Sequence, residues 1–595
     1  MVWQKKDKFT YETFLAKHKV ILVFFIFLFV CLSLRLFYLQ IINGNKYKNI
    51  SYQQRTHNTK ECAKRGAIYS ADNQLLAESE YSYVVVYYPH HGNPKPSVQI
   101  LSELSTVLKK EVKPSCSVFS KYGRKVIVLE KNLTLDDIFK IQEKKSKLKG
   151  VSVIREPKRI YHFSKETSHV VGYISQIQVN EMESLSELGY KLGDYVGRGG
   201  IEQYYDKYLQ GEDGGWQSEV NSRGDKIGIT NYIPPEAGNT VYSTIDLKLQ
   251  QVAYNALKNS ETGKGAVVVL DVKTGAVKAL VSCPGFNSNK ILNRKIGKYI
   301  KDNKLPLFNR ALQALYPPGS IFKFVAFAAA IDFLNTDPYE SMECKGKFEL
   351  GDRVYVCYHK IAHGTTNLIS AMAGSCNVYF YKLSLKLGIK NLEGYTKKFL
   401  FGRKTDIDLP NEKQGFVPNP EWKKLKFKIP WLQGDTLIFT IGQGAVNVTP
   451  LQMAYITAAI ANKGVVHKPY VVDKIYDLKG NEIYRYKELP NKNEIKLSSK
   501  TWELLHKSLL EVVEKGTGKR CKIQGIKISG KTGTAQNPPK EDHAWFISYA
   551  PSDNPEIAIA VIVEHGGGGG LNAVPIARKI YETYFGISSN VQGKQ

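Results

Sequence analysis

Val20 to Leu34 reads VILVFFIFLFVCLSL, and after the lone Arg35 the apolar character resumes as LFYLQII. A run this long and this uniformly apolar has no polar face to offer water. In hydrocarbon a chain must satisfy its own backbone hydrogen bonds, which predicts a bilayer-crossing helix over residues 20–41. Arg35 can snorkel to the interface, where Tyr38 also fits. Lys5, Lys6, Lys8, Lys17 and Lys19 precede the run, so the positive-inside bias assigns residues 1–19 to the cytoplasm and exports the chain beyond the run. A cleaved signal peptide is the alternative. Against it stand the missing small-residue cleavage pattern and an apolar core longer than a usual signal core.

The remainder of the 595 residues exceeds one ordinary domain. A formal charge of +28 raises nucleic acid, an anionic membrane surface or an anionic polymer as partners. The lysines are scattered, and neither a zinc-finger spacing nor an aromatic RNA-binding pattern accompanies them, so no nucleic acid is expected. A lysine-rich codon bias accounts for the charge equally well.

Residues 42–240 alternate strand-like stretches, such as SYVVVYYP and RKVIVLEKN, with charged helical ones and the turn Gly197-Arg198-Gly199-Gly200. They contain no catalytic cluster and read as a pedestal. Ile233-Pro234-Pro235-Glu236-Ala237-Gly238 has the turn chemistry of a linker. A second region, 241–586, opens with an amphipathic helix from Leu247 and a hairpin, GAVVVLDVKTGAVKALVS, turning at Lys273-Thr274-Gly275. It closes with the buried strand Ile557 to Val563, an amphipathic helix over Val574 to Phe585 and a tail at 587–595. Strands at both ends with helices between them predict an α/β domain of the α+β kind, a sheet with helices packed on its faces.

Tyr316-Pro317-Pro318-Gly319-Ser320-Ile321-Phe322-Lys323 precedes the apolar run FVAFAAAIDFL. The prolines and glycine make a turn, so Ser320 falls at a helix start, where orphan N–H groups favour developing negative charge. Lys323 lies one turn on, facing Ser320, and its apolar helix should desolvate it and lower its pKa. Taken alone, the pair also reads as an N-cap serine and a surface lysine. Ser375-Cys376-Asn377 sits between two helical stretches and can project a hydroxyl and an amide from one turn. Ile526 to Ser529 reads as a strand leading into Lys531-Thr532-Gly533-Thr534. There Gly533 would let another backbone approach, and Lys531 with the threonines would bind a carboxylate. Gly525 to Thr532 also fits the phosphate-loop pattern, which needs a following helix that Pro538-Pro539 blocks. The glycines 566–570 read as a flexible connection.

Ser-x-x-Lys, Ser-x-Asn and Lys-Thr-Gly in this order, roughly 50 and 150 residues apart, resemble the motif set of penicillin-binding proteins and serine β-lactamases. Arg65-Gly66-Ala67-Ile68-Tyr69 resembles the start of the pedestal of class B penicillin-binding proteins, departing from it at Ser70-Ala71-Asp72-Asn73. Ile441-Gly442-Gln443-Gly444 with Thr449-Pro450-Leu451-Gln452-Met453-Ala454 is similar to the elongation branch, penicillin-binding protein 2. The resemblance implies an elongated pedestal and a transpeptidase domain with an antiparallel sheet flanked by helices, in a bacterial inner-membrane protein facing the periplasm. It implies a peptidoglycan D,D-transpeptidase with Ser320 as nucleophile, Lys323 as base, Ser375 and Asn377 as relay and positioning groups, and Lys531, Thr532, Gly533 and Thr534 at the substrate carboxylate. Stem peptides and β-lactams would be its ligands, and a SEDS-family glycosyltransferase with other elongation proteins its partners. A β-lactamase or carboxypeptidase, and an idle β-lactam-binding scaffold, are the competing functions.

The acyl chemistry requires no cofactor. Cys344-x12-Cys357-x5-His363-x12-Cys376 nevertheless offers three thiolates and one imidazole, a tetrahedral zinc set. Some relatives in the penicillin-binding protein 2 branch hold zinc beside Ser-x-Asn, at positions that His363-Gly364 and Cys376 match and with carboxylate ligands where this chain has cysteines, and the resemblance implies a structural ion here. A disulfide between two of the cysteines is the alternative.

Overall fold

In the computed structural model the apolar run lies in a helix, Trp3–Phe37, extended by a wider turn, Tyr38–Ile42. The stretch Phe14–Ile42 is long and apolar enough to cross a membrane and buries none of its surface within the protein, which fits a single-pass anchor. The structure describes residues 3–48, 56–88, 95–113, 116–119, 125–191, 193–220, 226–292, 296–357, 361–487 and 494–587. The expected tail lies almost wholly outside them.

The chain forms two compact units that interleave in sequence: Met1–Cys62, Ser82–Glu156 and Asp213–Pro235 in one, and Ala63–Tyr81, Pro157–Glu212 and Glu236–Gln595 in the other. In the first, the VVVY stretch is the end of the strand Leu75–Tyr87 and pairs antiparallel with Lys125–Leu133. Val85 and Tyr87 face a core with Leu104, Val107 and Ile141 from two helices, while Val84 and Val86 point to the other face. This is the two-residue alternation of a sheet. The helices Val98–Leu108 and Leu135–Glu143 start at Ser97 and Thr134, whose side chains accept from backbone N–H groups.

In the second unit the pedestal motif has a structural purpose. Arg65 pairs with Glu202 and Asp206, and Arg159 pairs with Glu202 at 2.8 Å, all in the interior. Burial works to raise the Glu202 carboxyl, and the two guanidiniums overcome it and hold it below the usual range. The departing residues Ser70 to Asn73 make a tight turn, with Asn73 at φ +57° and Ser70 N–H donating to the Gln74 carbonyl.

A second sheet of this unit has five antiparallel strands in the order Val277–Cys283, Gly265–Asp271, Ile557–Val563, Lys540–Ala550, Ser529–Asn537. Val267 and Val269 face a core built with the helices Leu247–Lys258 and Val574–Tyr584. Ala266, Val268 and Leu270 face the opposite one, with the helices Lys323–Asp332 and Pro450–Ala461. Covering both faces explains why Ile557–Val563 is apolar without alternation. The hairpin at Gly275 is as expected, with that glycine at φ +77°.

Two expectations need correction. The outer strand begins at Ser529, so Ile526 to Ile528 precede it and Lys531 to Thr534 are themselves strand. Its partner starts at Lys540, leaving the prolines in the connecting turn, and no helix follows as a phosphate loop would require. The glycine run is a packing device: a Cβ on Gly569 would lie 2.3 Å from the Trp545 carbonyl oxygen and 2.4 Å from that of Gly533.

Candidate active site

Ser320 lies in a single 3-10 turn, Gly319–Phe322, that runs into the helix Lys323–Asp332. Tyr316 pairs with Val448 through two backbone hydrogen bonds of 2.9 and 3.0 Å, fixing the entry to the turn. Gly319 N–H donates to the Gly442 carbonyl at 2.8 Å. The IGQG segment therefore clamps the serine turn, and Gln443 Nε2 reaches the Thr534 carbonyl at 3.4 Å. The clamp is tight enough to demand glycine twice. A Cβ on Gly442 (φ +67°) would meet the Gly319 oxygen at 2.4 Å, and one on Gly319 (φ +58°) would meet the Thr534 oxygen at 2.7 Å.

Lys323 is completely buried, as is its helix through Ile331. Its Nζ donates to Asn377 Oδ1 at 2.6 Å, to the Ser375 carbonyl at 2.7 Å and to Ser375 Oγ at 3.3 Å. Desolvation lowers its pKa to about 8, with the nearby Cys376 and Cys357 opposing. Among the described residues no hydrogen bond links Nζ to the Ser320 hydroxyl, a contact that tightens in many enzymes only when substrate arrives. Ser375 has φ +57°, a left-handed residue that joins the end of the helix Leu368–Ala373 to the start of Asn377–Lys398.

Lys531, equally buried, projects from the outer strand, and its Nζ donates to the Thr532 carbonyl at 3.0 Å. Burial pushes it well below an ordinary lysine, and the charge of Lys323 pushes in the same direction. Gly533 admits the serine turn: its Cβ would lie 2.9 Å from Ile321 and 3.1 Å from the Pro318 oxygen. Ser320, Ser375, Thr532, Gly533 and Thr534 line one cavity of about 380 Å³, which thus gathers all three motifs. Its other wall holds Thr517, Lys519, Arg520, Gly568, Gly570 and Leu571. The motifs do not point to this wall. Its sequence trace is the turn Gly516-Thr517-Gly518 and the glycine run. Thr517 bridges the two sides, its hydroxyl on that of Thr532 and its N–H on the Ala373 carbonyl at 3.2 Å.

Cys344, Cys357, His363 and Cys376 converge behind Asn377, their donor atoms all within 4.8 Å of one another. Cys357 Sγ lies 3.9 Å from Cys376 Sγ, far beyond a disulfide, and 3.5 Å from His363 Nδ1; Cys344 Sγ lies 3.7 Å from the same nitrogen. Zinc bond lengths in a tetrahedron place sulfurs about 3.8 Å apart and sulfur and nitrogen about 3.6 Å apart, so the four residues fit the ion. The surroundings fit as well. His363 Nε2 donates to the Gly374 carbonyl at 3.2 Å, leaving the Nδ1 lone pair toward the sulfurs. Backbone N–H groups of Asn377 and Tyr379 donate to Cys357 and Cys376 sulfur at 3.2 and 3.4 Å.

A helix-borne serine packed against a five-stranded antiparallel sheet, with a buried lysine of lowered pKa one turn on, defines the class of penicillin-recognising serine acyl-transferases. Family models agree: the penicillin-binding protein transpeptidase domain matches residues 265–582, and the penicillin-binding protein dimerisation domain matches 60–243. Peptidoglycan D,D-transpeptidase MrdA of Acinetobacter baumannii is 32% identical over 576 residues, spanning 93% of this chain and 84% of that protein. The penicillin-binding protein 2 of Helicobacter pylori, solved in complex with MreC, superposes with a TM-score of 0.74 at 27% identity, over 89% of this chain and 99% of that one. A chain from a peptidoglycan synthase complex in which polymerization and crosslinking are coordinated matches with a TM-score of 0.71 at 27% identity, over 97% of this chain and 99% of its own. The chain belongs to the class B penicillin-binding proteins, on the branch of penicillin-binding protein 2.

Proposed function

We propose that this chain is the elongation-type peptidoglycan D,D-transpeptidase of its cell, with Ser320 as nucleophile. The observation that carries the assignment is Lys323: fully buried, lowered to about 8, and hydrogen-bonded to both polar members of the second motif, of which Ser375 lines the same cavity as Ser320. In its neutral form Lys323 takes the Ser320 proton as Oγ attacks the carbonyl carbon of the penultimate D-alanine. The oxyanion is met by the backbone N–H groups of Ser320 and Thr534. The C–N bond then breaks, Ser375 relays a proton to the departing D-alanine nitrogen, and an acyl-serine remains. Asn377 orients the peptide, and Thr532, Thr534 and Lys531 hold its terminal carboxylate. The strand Ser529–Asn537 lies at the edge of its sheet, so the peptide can add to it as a further strand. An amine from a second stem takes the acyl group and forms the crosslink. β-Lactams acylate the same oxygen.

The segmentation into a cytoplasmic tail, an anchor over 20–41, a pedestal to 240 and a transpeptidase domain over 241–586 belongs to this proposal. So do a cytoplasmic N-terminus and a periplasmic catalytic domain, supported by the lysines before the anchor. Partners of the kind in the structural relatives, MreC and a glycan-polymerising subunit, are expected to bind. Zinc would be held by the sulfurs of Cys344, Cys357 and Cys376 and by His363 Nδ1. Four protein ligands leave no open position for water, so the ion's contribution is structural, pinning the turn that carries Ser375 and Asn377. Purified protein never exposed to chelator should carry one zinc per chain by elemental analysis.

Intact-mass measurement after incubation with benzylpenicillin tests the acyl step. One stable adduct on the wild type and none on Ser320→Ala is expected. Folded wild type with neither adduct nor drug consumption would overturn the assignment, and rapid hydrolysis without an adduct would make it a β-lactamase.

A further inference from the structure

Three polar side chains at the entry to the serine turn take no part in the acyl transfer described above. Glu564 directly follows the central strand Ile557–Val563, and its Oε1 accepts from the Tyr316 hydroxyl at 2.6 Å and from Arg310 Nε at 3.1 Å. Arg310 and Tyr316 are buried and the Glu564 side chain is nearly so, yet none of the three lines the Ser320 cavity. Each is fastened elsewhere. Glu564 N–H donates to the Lys264 carbonyl at 2.8 Å, and its own carbonyl accepts from Thr262 Oγ1 at 2.7 Å, just before the neighbouring strand Gly265–Asp271. Arg310 donates from Nη1 to the Leu305 carbonyl at 3.1 Å and from Nη2 to the Lys304 carbonyl at 2.9 Å, and its N–H donates to Ser282 Oγ at 2.9 Å on the strand Val277–Cys283. The Tyr316 ring stands edge-on to His543 and Trp545, with centroids 5.3 and 6.0 Å away, and Trp545 Nε1 donates to the Pro317 carbonyl at 3.0 Å. Burial and the neighbouring carboxylate raise the Tyr316 phenol well above its usual range, so it stays protonated and remains a donor.

Stability alone does not account for the arrangement. A buried ion pair yields little net stabilisation, because desolvating two charges offsets their attraction, and apolar side chains of similar volume serve as well. What a hydrogen bond to a carboxylate adds is direction and a short, defined reach. The serine turn needs such a tie at this point. Pro317 and Pro318 have no N–H, and neither they nor Gly319 carry a side-chain donor, so Tyr316 is the nearest polar handle on the chain entering Ser320. Resting on the acyl-transfer reading above, we propose that Glu564 is a positioning residue for Ser320, which holds the Tyr316 hydroxyl and thereby sets where the serine oxygen stands relative to the carbonyl it attacks. Arg310 fixes the orientation of that carboxylate, and a single oxygen ties the entry of the serine turn to the ends of the sheet strands.

The test is stopped-flow acylation of the full-length chain in detergent by a chromogenic β-lactam, which separates the acylation rate constant from the dissociation constant of the non-covalent complex before it. Rates refer to the fraction of protein that finally carries drug by intact mass, so misfolded chains drop out. Tyr316→Phe removes one hydroxyl from a buried ring. It should lower the rate constant by about tenfold, the worth of one hydrogen bond to a charged group, and leave the dissociation constant unchanged. Glu564→Ala should do the same, and the two together should be no slower than either alone. Because both contacts fall on Oε1, the amide oxygen of Glu564→Gln can accept them. That variant should recover most of the rate lost in Glu564→Ala, although Arg310 is left without its counter-ion. Tyr316→Phe acylating at the wild-type rate, a loss confined to the dissociation constant, or Glu564→Gln as slow as Glu564→Ala would each overturn the positioning role. If Glu564→Ala does not fold, Tyr316→Phe decides alone. A wild type that forms no penicillin adduct brings down the acyl-transfer reading itself, whereas an adduct with Tyr316→Phe at the wild-type rate removes only the role of Glu564.

Discussion

The two turns that meet over Lys323 are held by different means. The Ser320 turn is clamped by backbone against backbone, through Gly319, Gly442, Gly533 and the Gly319–Gly442 hydrogen bond. The Ser375–Asn377 turn is held by side chains, with sulfur and imidazole behind it and N–H groups of Asn377 and Tyr379 directed at the sulfurs. A backbone clamp offers no group for chelator or oxidant to attack and accepts almost no added atom. The zinc clamp proposed for the second turn would tolerate many neighbouring substitutions and would respond to chelator, oxidant and acid. One catalytic floor thus has a rigid side and a chemically addressable side.

Lys323→Ala removes the group both turns share and should slow penicillin acylation by about a thousandfold or more, the upper range for a positioned base. Gly442→Ala attacks the rigid side alone. A Cβ 2.4 Å from the Gly319 oxygen at a positive φ should cost roughly 3 kcal/mol, read as a lower denaturant midpoint with acylation impaired. Cys376→Ser attacks the addressable side. It should lose bound zinc and acylate on the order of tenfold more slowly, and chelator should reproduce that loss in the wild type but add little in the variant. If chelator leaves acylation of the wild type unchanged, the contrast between the two sides fails.

The pH profile sharpens the same contrast at smaller scale. Neutral Lys323 is the reactive form and its pKa is lowered to about 8, so the acylation rate should rise about tenfold per pH unit below that value and level off above it. Stopped-flow acylation with a chromogenic β-lactam reads this directly. Smallest of all, Gly394→Ala lies within the helix Asn377–Lys398 with nothing inside 4 Å of the new Cβ, and should stabilise by about 0.5–1 kcal/mol without touching either turn.

The residues proposed for catalysis were legible in the sequence because acyl transfer asks for them at short local spacings: a serine and a lysine one helical turn apart, a hydroxyl and an amide on one turn. The sheet-forming runs were legible from their apolar pattern. What tertiary approach alone creates was not. Nothing local marks IGQG as the clamp on the serine turn, Thr517 as the bridge to Thr532, or Gly569 as the point where two carbonyls close in. The outer strand was read too early because Ile526 and Ile528 alternate like strand residues, whereas Ile528 is buried with the core below the sheet and pairing starts at Ser529. Arg65 was legible as part of a motif, while its work as the hub of a buried charge cluster needed Glu202 and Asp206, more than a hundred residues away.

The strand at the centre of the catalytic sheet is also nearly the last to be made. Ile557–Val563 lies between Gly265–Asp271 and Lys540–Ala550, so the earlier hairpin waits for almost the whole unit before it gains its inner neighbour. Pairing across such a sequence separation is slow to form and leaves an apolar edge unpaired meanwhile. A growing chain therefore carries Ser320 for more than two hundred residues before the sheet that positions it is complete. Crosslinking activity is withheld until synthesis has passed residue 563, a delay built into strand order alone.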